Sequence, residues 1–387
     1  MRVVVLHNAV SADSAVDEQD VLTQRDAVMH ALRALGHDAT SLGCTLNLED
    51  TRRELIDRRP DVVFNLVESL AGTDRLMPAA TLLLDSLDIP YTGAHTGAIL
   101  AVSGKTDAKQ RLVQAGLPTP AWFDSRANDS SKTGEKSNPA DTAEFPSRWI
   151  LKPVWEHASI GMDDDAVVDV RNADALRSLC RQRERQFGRS YFAEQYIDGR
   201  EFNLSMLAGQ VLPAAEIDFS AFPPAKPRIV GHQAKWEQDS FEYQQTPRTF
   251  HFPDSDRPLL DALDRNACRC WELFGLNGFA RVDFRVDESG RPWVLEVNVN
   301  PCLSPDAGFA AALEQNGIGF DTAVQRIIDQ ALLPGAATTA GDWPDNRAAG
   351  LFIPAGSTCR TAVGSDSRFG DAESPARSAS TRGSGSR

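Results

Sequence analysis

No apolar run in this 387-residue chain approaches the roughly 20 residues that carry a helix across a bilayer. The opening MRVVVLH has one basic residue and a four-residue apolar run, too short for the apolar part of a secretion signal, so it reads as a first strand. Basic charge is also in deficit. With 40 Lys and Arg against 54 Asp and Glu, the net charge of -14 excludes a general nucleic-acid binder, because phosphate backbones attract basic stripes rather than acidic surfaces. A local basic pocket stays compatible with that balance. Cysteine is sparse and scattered: Cys44, Cys180, Cys268, Cys270, Cys302 and Cys359, of which Cys268 and Cys270 form a C-x-C pair without partner ligands. The expectation is mostly reduced thiols in a cytoplasmic protein. There is no internal repeat. What is present is 42% hydrophobic content at a length sufficient for two or three packed units.

Over residues 1–100, strand-like and helix-like stretches alternate. RVVVLH (2–7) is β-branched, a helical pattern runs from Asp20 to Leu35 and closes at Gly36, and DVVFNLV (61–67), AATLLLDSLDI and IPYTG (89–93) follow. That alternation predicts a doubly wound parallel sheet, whose ligands sit beyond the carboxyl ends of the strands. Residues 124–147 are polar and nearly free of large apolar side chains, which predicts a surface insertion within a unit spanning 101–192. Strands at RWILKPV and SYFAEQYI, a hairpin turning at Ala208–Gln210, a helix over 258–275 and a second hairpin turning at Ser289–Gly290 give an α+β unit over 193–335. Residues 336–387, rich in Gly, Ser, Ala, Thr and Arg, predict a disordered tail.

The stretch VLEVNVNP (294–301) puts a carboxylate and amides on an apolar strand. A two-residue loop at Ser289–Gly290 sets Asp283 across from Glu296 and Arg281 across from Asn298, all on one face. Facing carboxylates repel unless a cation lies between them, and Asp, Glu and Asn oxygens suit a hard ion such as magnesium that bridges to phosphates. A solvated sheet face needs no such ion and is the alternative. Lys152 lies in the apolar WILKPV, where its head group needs either an anion or the surface. Lys105 opens a helix, against the macrodipole, and a bound anion explains it better than a bare helix end. HASIG (157–161) fits either a flap over phosphates or a plain connection. Glu194 and Glu201 bracket an extended stretch whose amides suit a base edge, with Glu201 placed to accept ribose hydroxyls.

The succession SGKTDAK, ILKPVWEHASIG, FAEQYIDGREFNL, FARVDF, VLEVNVNP resembles the ATP-grasp superfamily, and in particular its D-alanine–D-alanine ligase branch, over residues 60–330. The resemblance implies an N-terminal α/β domain followed by a two-part ATP-grasp fold. It also implies a carboxylate-amine ligase that phosphorylates a carboxylate to an acyl phosphate, which an amine then attacks. Lys105 and Lys152 match phosphate-contacting lysines, Glu194, Gln195, Tyr196 and Ile197 match the adenine-reading hinge, and Glu201 matches the ribose acid. Lys235 matches the lysine of the closing loop over 232–240, Arg281 the arginine that stabilises the tetrahedral intermediate, and Asp283, Glu296 and Asn298 the ligands of two magnesium or manganese ions. No side-chain nucleophile is required by this chemistry. Small amino acids or short peptides, ATP and a second copy in a homodimer are the implied partners, without nucleic acid or membrane.

The substrate end departs from that pattern. HNAVSADSAVDEQD replaces a glycine-rich turn, serine and glutamate, leaving Glu18 as the candidate for holding an amino group. Glu68-Ser69 stands where the family has His-Gly, and Glu68 fits either an ammonium partner or a helix cap. His157-Ala158 replaces Gly-Ser, Trp236 a tyrosine, Cys302 a glycine, and Ala307 a serine that contacts the second substrate's carboxylate. The expected activity is therefore a ligase with an altered substrate pocket. An authentic D-alanine–D-alanine ligase of cell-wall synthesis and a nucleotide-binding regulator that has lost ligation are the alternatives.

Overall fold

A computed structural model describes residues 1–10, 16–125, 145–156, 159, 161–333 and 359–361, without the side chains of 16–18. Strands β1 (Arg2–Asn8), β2 (Asp38–Cys44) and β3 (Val62–Leu66) form a parallel sheet in the order β2-β1-β3. Parallel neighbours need crossovers, and helices α1 (Val16–Ala34) and α2 (Leu48–Arg58) supply them. Alternation along β1 covers both faces. Val3 and Val5 pack on α1, and Val4 and Leu6 on α2 and on α3 (Pro78–Ser86). The expected strand at 89–93 shrinks to one parallel bridge from Tyr91 to Val63, since Pro90 has no amide to extend the ladder. Sequence reading missed β2. Its DATSLGC lacks an apolar alternation because β2 is an edge with few buried side chains.

Helices α4 (Thr96–Ser103) and α5 (Lys105–Gln114) then lead into an antiparallel sheet ordered β4-β7-β5-β6. Its strands are β4 (Trp122–Asp124), β5 (Ser147–Pro153), β6 (Val167–Val170) and β7 (Tyr191–Gln195), with α6 (Ala173–Phe187) packed on one face. Residues 126–144 of the expected insertion lie outside the described residues, and its two ends, Asp124 and Ser147, belong to strands.

A second antiparallel sheet follows in the order β11-β10-β8-β12-β13, with β9 paired to β8. It comprises β8 (Arg200–Leu207), β9 (Gln210–Val211), β10 (Ala215–Ile217), β11 (Arg248–Thr249), β12 (Phe279–Val286) and β13 (Pro292–Asn298). The short helices α7 (His232–Trp236) and α8 (Phe241–Gln244) precede β11. Helix α9 (Arg257–Phe274) forms because Leu263, Ala267, Cys270, Trp271 and Phe274 recur on one face. That face joins α4 and α5 in one core against β8, β12 and β13. Each large side chain so buried contributes about 1.5–3 kcal/mol. The last helices, α10 (Gly308–Gln315) and α11 (Phe320–Ala331), return to pack with α1 on the first sheet.

Two expectations need correction. The hairpin of β12 and β13 does not turn on two residues: Val286 pairs with Pro292 across the loop Asp287–Arg291. That longer loop displaces the pairing by one position, and a bulge between Asp283 and Phe284 of the ladder displaces it back, with Leu295 as the extra residue. The expected pairs Asp283–Glu296 and Arg281–Asn298 therefore do form, for a reason that the turn did not supply. Secondly, four cysteines are free thiols, whereas Cys268 and Cys359 are joined in a disulfide. Their separation of 91 residues hides the proximity from the sequence. Arg360 also pairs with Gln210, so part of the expected tail is held on the edge of a sheet.

Candidate active site

The carboxyl ends of β1 and β3 and the facing surfaces of the two antiparallel sheets enclose a cleft of about 790 Å³. That volume lies in the upper part of the range for small-molecule sites. Every site residue expected from sequence lines it, with the exception of Glu18, whose side chain lies outside the described residues.

Alternation along β12 sends Arg281, Asp283 and Arg285 to the cleft, and the β8 register sets Ser205, Asn203 and Glu201 opposite them. Arg281 grips Asp283 with both arms of its guanidinium, Nε to Oδ1 at 2.7 Å and Nη2 to Oδ2 at 2.9 Å. Burial disfavours the Arg281 charge, but the Asp283 carboxylate outweighs it and holds the guanidinium protonated above its usual range. Asn203 donates to Asp283 Oδ1 at 2.8 Å. Glu296 faces Lys105 Nζ at 3.7 Å, and Asn298 Oδ1 accepts from the Asn300 amide at 3.0 Å. Lys235 reaches over this face from α7. Burial, then the neighbouring Arg281 charge, lowers its pKa, while Glu296, Asp283 and Glu201 counteract. Among the described residues no group of three or more His, Cys, Asp or Glu side chains converges as a metal site. The donors on offer are two carboxylates and one carboxamide, all oxygen and on one sheet face. They fit a hard divalent ion that keeps positions for water and phosphate.

Behind this face lies a buried triad. Glu194 accepts from Lys152 Nζ at 2.6 Å and pairs with Lys109, and both Glu194 and Lys109 are 1% exposed. Desolvation pushes the Glu194 carboxyl up, but Lys109 and Lys152 outweigh it and its pKa is lowered. Lys109 also donates to Thr119 Oγ1 at 2.7 Å, which in turn donates to the Val294 carbonyl at 2.8 Å. The side chain of Glu194 thus faces the lysines, and its neighbours Gln195–Ile197 carry the backbone along the cleft. Lys105 Nζ donates to the Glu156 carbonyl. It sits at the first position of α5 after Gly104, where a Cβ would crowd Trp155 at 3.1 Å. Sequence reading missed Lys109, Asn203 and Arg285. The spacing of Lys105 and Lys109 on one helix was the available signal for the first, and the strand register with β8 for the other two.

At the other end of the cleft, Gln24 is 1% exposed and ties three segments together. Its Nε2 donates to Asp20 Oδ2 at 3.1 Å and to Glu68 Oε1 at 2.9 Å, and its Oε1 accepts from the Leu303 amide at 3.0 Å. Cys302 and Ser304 donate to Asp20 at 3.0 and 2.8 Å. Among the described residues no lysine or arginine forms an ion pair with Asp20 or Glu68. Desolvation pushes the Glu68 carboxyl up to about 8, with Asp74 and Asp20 adding to the rise and the Gln24 donor opposing it. Ala307 lines this end and caps α10.

Residues 112–329 match the profile of the family described as D-ala D-ala ligase C-terminus. The chain is 32% identical to a D-alanine–D-alanine ligase of Methylococcus capsulatus over 82% of its own length and 92% of the relative's. It is 31% identical to one of Gloeobacter violaceus over 86% of its own length and all of the relative's. In structure it resembles the D-alanine–D-alanine ligase of Bacillus anthracis in complex with ATP. The TM-score is 0.63 and the identity 21%, over 86% of this chain and 97% of that one. The enzyme of Coxiella burnetii is similar in fold, with a TM-score of 0.59 and 16% identity over 85% of this chain and 93% of that one.

Proposed function

The chain belongs to the D-alanine–D-alanine ligase family, a group of peptide-forming ATP-grasp ligases, and from that premise we propose how its cleft divides the work. ATP and a divalent metal are the cofactors of this reading. Lys105 and Lys152 neutralise the phosphates, Gln195–Ile197 present backbone to the base, and Glu201 accepts the ribose hydroxyls. Asp283, Glu296 and Asn298 hold the metal, as two magnesium or manganese ions. The metal supplies charge neutralisation at the phosphate oxygens. Arg281 spends two of its five donors on Asp283 and offers the others to the oxyanion that forms when the amine adds to the acyl phosphate. Lys235 and the 232–240 segment close over the reacting groups and exclude water.

One observation carries this reading: Lys105, Lys152, Lys235, Arg281, Asp283, Glu296 and Asn298 face a single cleft, although they come from five separate elements of the chain. D-alanine is the substrate named for the relatives, and two D-alanines are the reference pair. The carboxylates of Glu68 and Asp20, unpaired with cations among the described residues, favour a second reading, in which the pocket takes a different amine-bearing amino acid. The experiment is incubation with ATP, magnesium and pools of D- and L-amino acids, reading ADP release and dipeptide mass. D-alanyl-D-alanine supports the reference pair, another dipeptide the altered pocket, and ADP formation without any amine dependence refutes both. The unit boundaries 1–100, 101–192, 193–335 and 336–387, homodimer formation and a cytoplasmic location belong to the same reading. No described helix is long and apolar enough to cross a membrane.

A further inference from the structure

Arg285 has no part in the scheme above, yet it is 4% exposed and lines the cleft. Directly across the β12–β8 ladder stands Glu201, whose Oε2 lies 2.9 Å from Arg285 Nη2. The same guanidinium donates to the Gly199 carbonyl at 3.0 Å and to the Arg228 carbonyl. Its flat face lies 5.3 Å from the Phe219 ring and 5.9 Å from the Tyr196 ring. Tyr196 closes the knot by accepting from the Arg228 amide at 3.0 Å. Gly199 itself has a φ of +146°, and a Cβ there would collide with the Val286 carbonyl, so the hinge is pressed onto the end of β12. A buried ion pair kept only for stability is readily replaced by apolar residues of similar volume. Here both partners border the cleft.

We propose that Arg285 is a positioning residue for nucleotide selection: it fixes one oxygen of Glu201 so that the other meets the ribose hydroxyls, and pins the hinge and the 228 segment around it. The fork geometry suits this task because two N–H vectors in one plane set the carboxylate and the hinge carbonyl at once. Burial raises the Glu201 carboxyl while the Arg285 charge opposes the rise, so the same contact favours the ionised acceptor. The proposal rests on the reading of Glu201 as the ribose acid.

Calorimetric binding of ATP, 2′-deoxy-ATP and 3′-deoxy-ATP to the full chain with magnesium tests it without any amino substrate. A failed ligation assay therefore leaves the test intact. Glu201→Gln is expected to weaken ATP binding roughly tenfold or more, the usual loss for a hydrogen bond to a charged group, and to erase the preference over the deoxy nucleotides. Arg285→Met is expected to erase the same preference, and the double variant to lose no more than the weaker-binding single one. Losses that multiply in the double variant, or a preference unchanged in Arg285→Met, overturn the proposal. Should Arg285→Met fail to fold, Arg285→Lys, which keeps the charge but not the fork, decides alone: a reduced preference supports the proposal and an unchanged one overturns it. An unchanged preference in Glu201→Gln refutes the ribose assignment itself, and the role of Arg285 falls with it.

Discussion

Glu68→Gln turns the electrostatics of the substrate end into a measurable slope. Burial, with Asp74 and Asp20 nearby, lifts the Glu68 carboxyl from 4.5 to about 8. The folded pKa therefore lies above the unfolded one, and between those two values the native state binds more protons than the unfolded chain. Stability contributed by the neutral acid is fully present below the unfolded pKa and is lost as pH rises toward 8. A shift of this size corresponds to about 5 kcal/mol as an upper limit. Glutamine keeps an oxygen for the Gln24 donor but cannot ionise. The melting temperature of the variant, relative to the parent, should rise steadily from pH 5 and level off above pH 8, by several degrees. Thermal melts of both proteins from pH 5 to 9 measure this. A constant difference across that range, or one that narrows with pH, refutes a buried carboxyl with a raised pKa. If the carboxylate also receives the substrate ammonium, the same substitution should raise the KM for the amino acid about tenfold. In the parent, calorimetry in buffers of different ionisation heat should then detect proton release on binding.

Glu296→Gln removes one of the facing carboxylates and should reduce turnover by at least about a hundredfold while the melting temperature stays near that of the parent. Near-normal activity at saturating magnesium defeats the assignment of that face to the metal. Lys109→Met breaks a buried pair and should cost about 3 kcal/mol in urea unfolding, with weaker ATP binding because Lys152 is then drawn fully onto Glu194. An unchanged urea midpoint together with unchanged ATP affinity excludes a role for Lys109 in holding the lysine layer.

Much of the site was legible because its chemistry repeats along the chain in a fixed order. Lys105, Lys152, Glu201 and the acids of the second hairpin each sit in a local pattern that names a strand or a helix start, and all of them line one cleft. The facing of Asp283 and Glu296 was legible only in outcome. The sequence suggests a two-residue turn, whereas the loop over 287–291 and the bulge at Leu295 offset each other. β2 was missed because an edge strand buries too few side chains to impose an apolar alternation. Cys268 and Cys359 looked like free thiols because a contact across 91 residues leaves no local trace.

The sequence by itself determined the core elements with a clear apolar period, among them β1, β3, β5, β7, β8, β12, β13, α1 and α9, since that period follows from the geometry of each element. It also determined the kind of chemistry on offer: oxygen ligands, lysines and an arginine suited to phosphates and acyl transfer. Only the tertiary structure decided who partners whom. Arg285 meets Glu201 and Lys109 meets Glu194, and Gln24 joins Asp20 to Glu68, because strand register and helix packing bring together side chains that lie far apart in the sequence, 44 positions in the case of Gln24 and Glu68. Pair contacts of that kind carry the desolvation costs and ion-pair energies on which the pocket depends, and no local pattern encodes them.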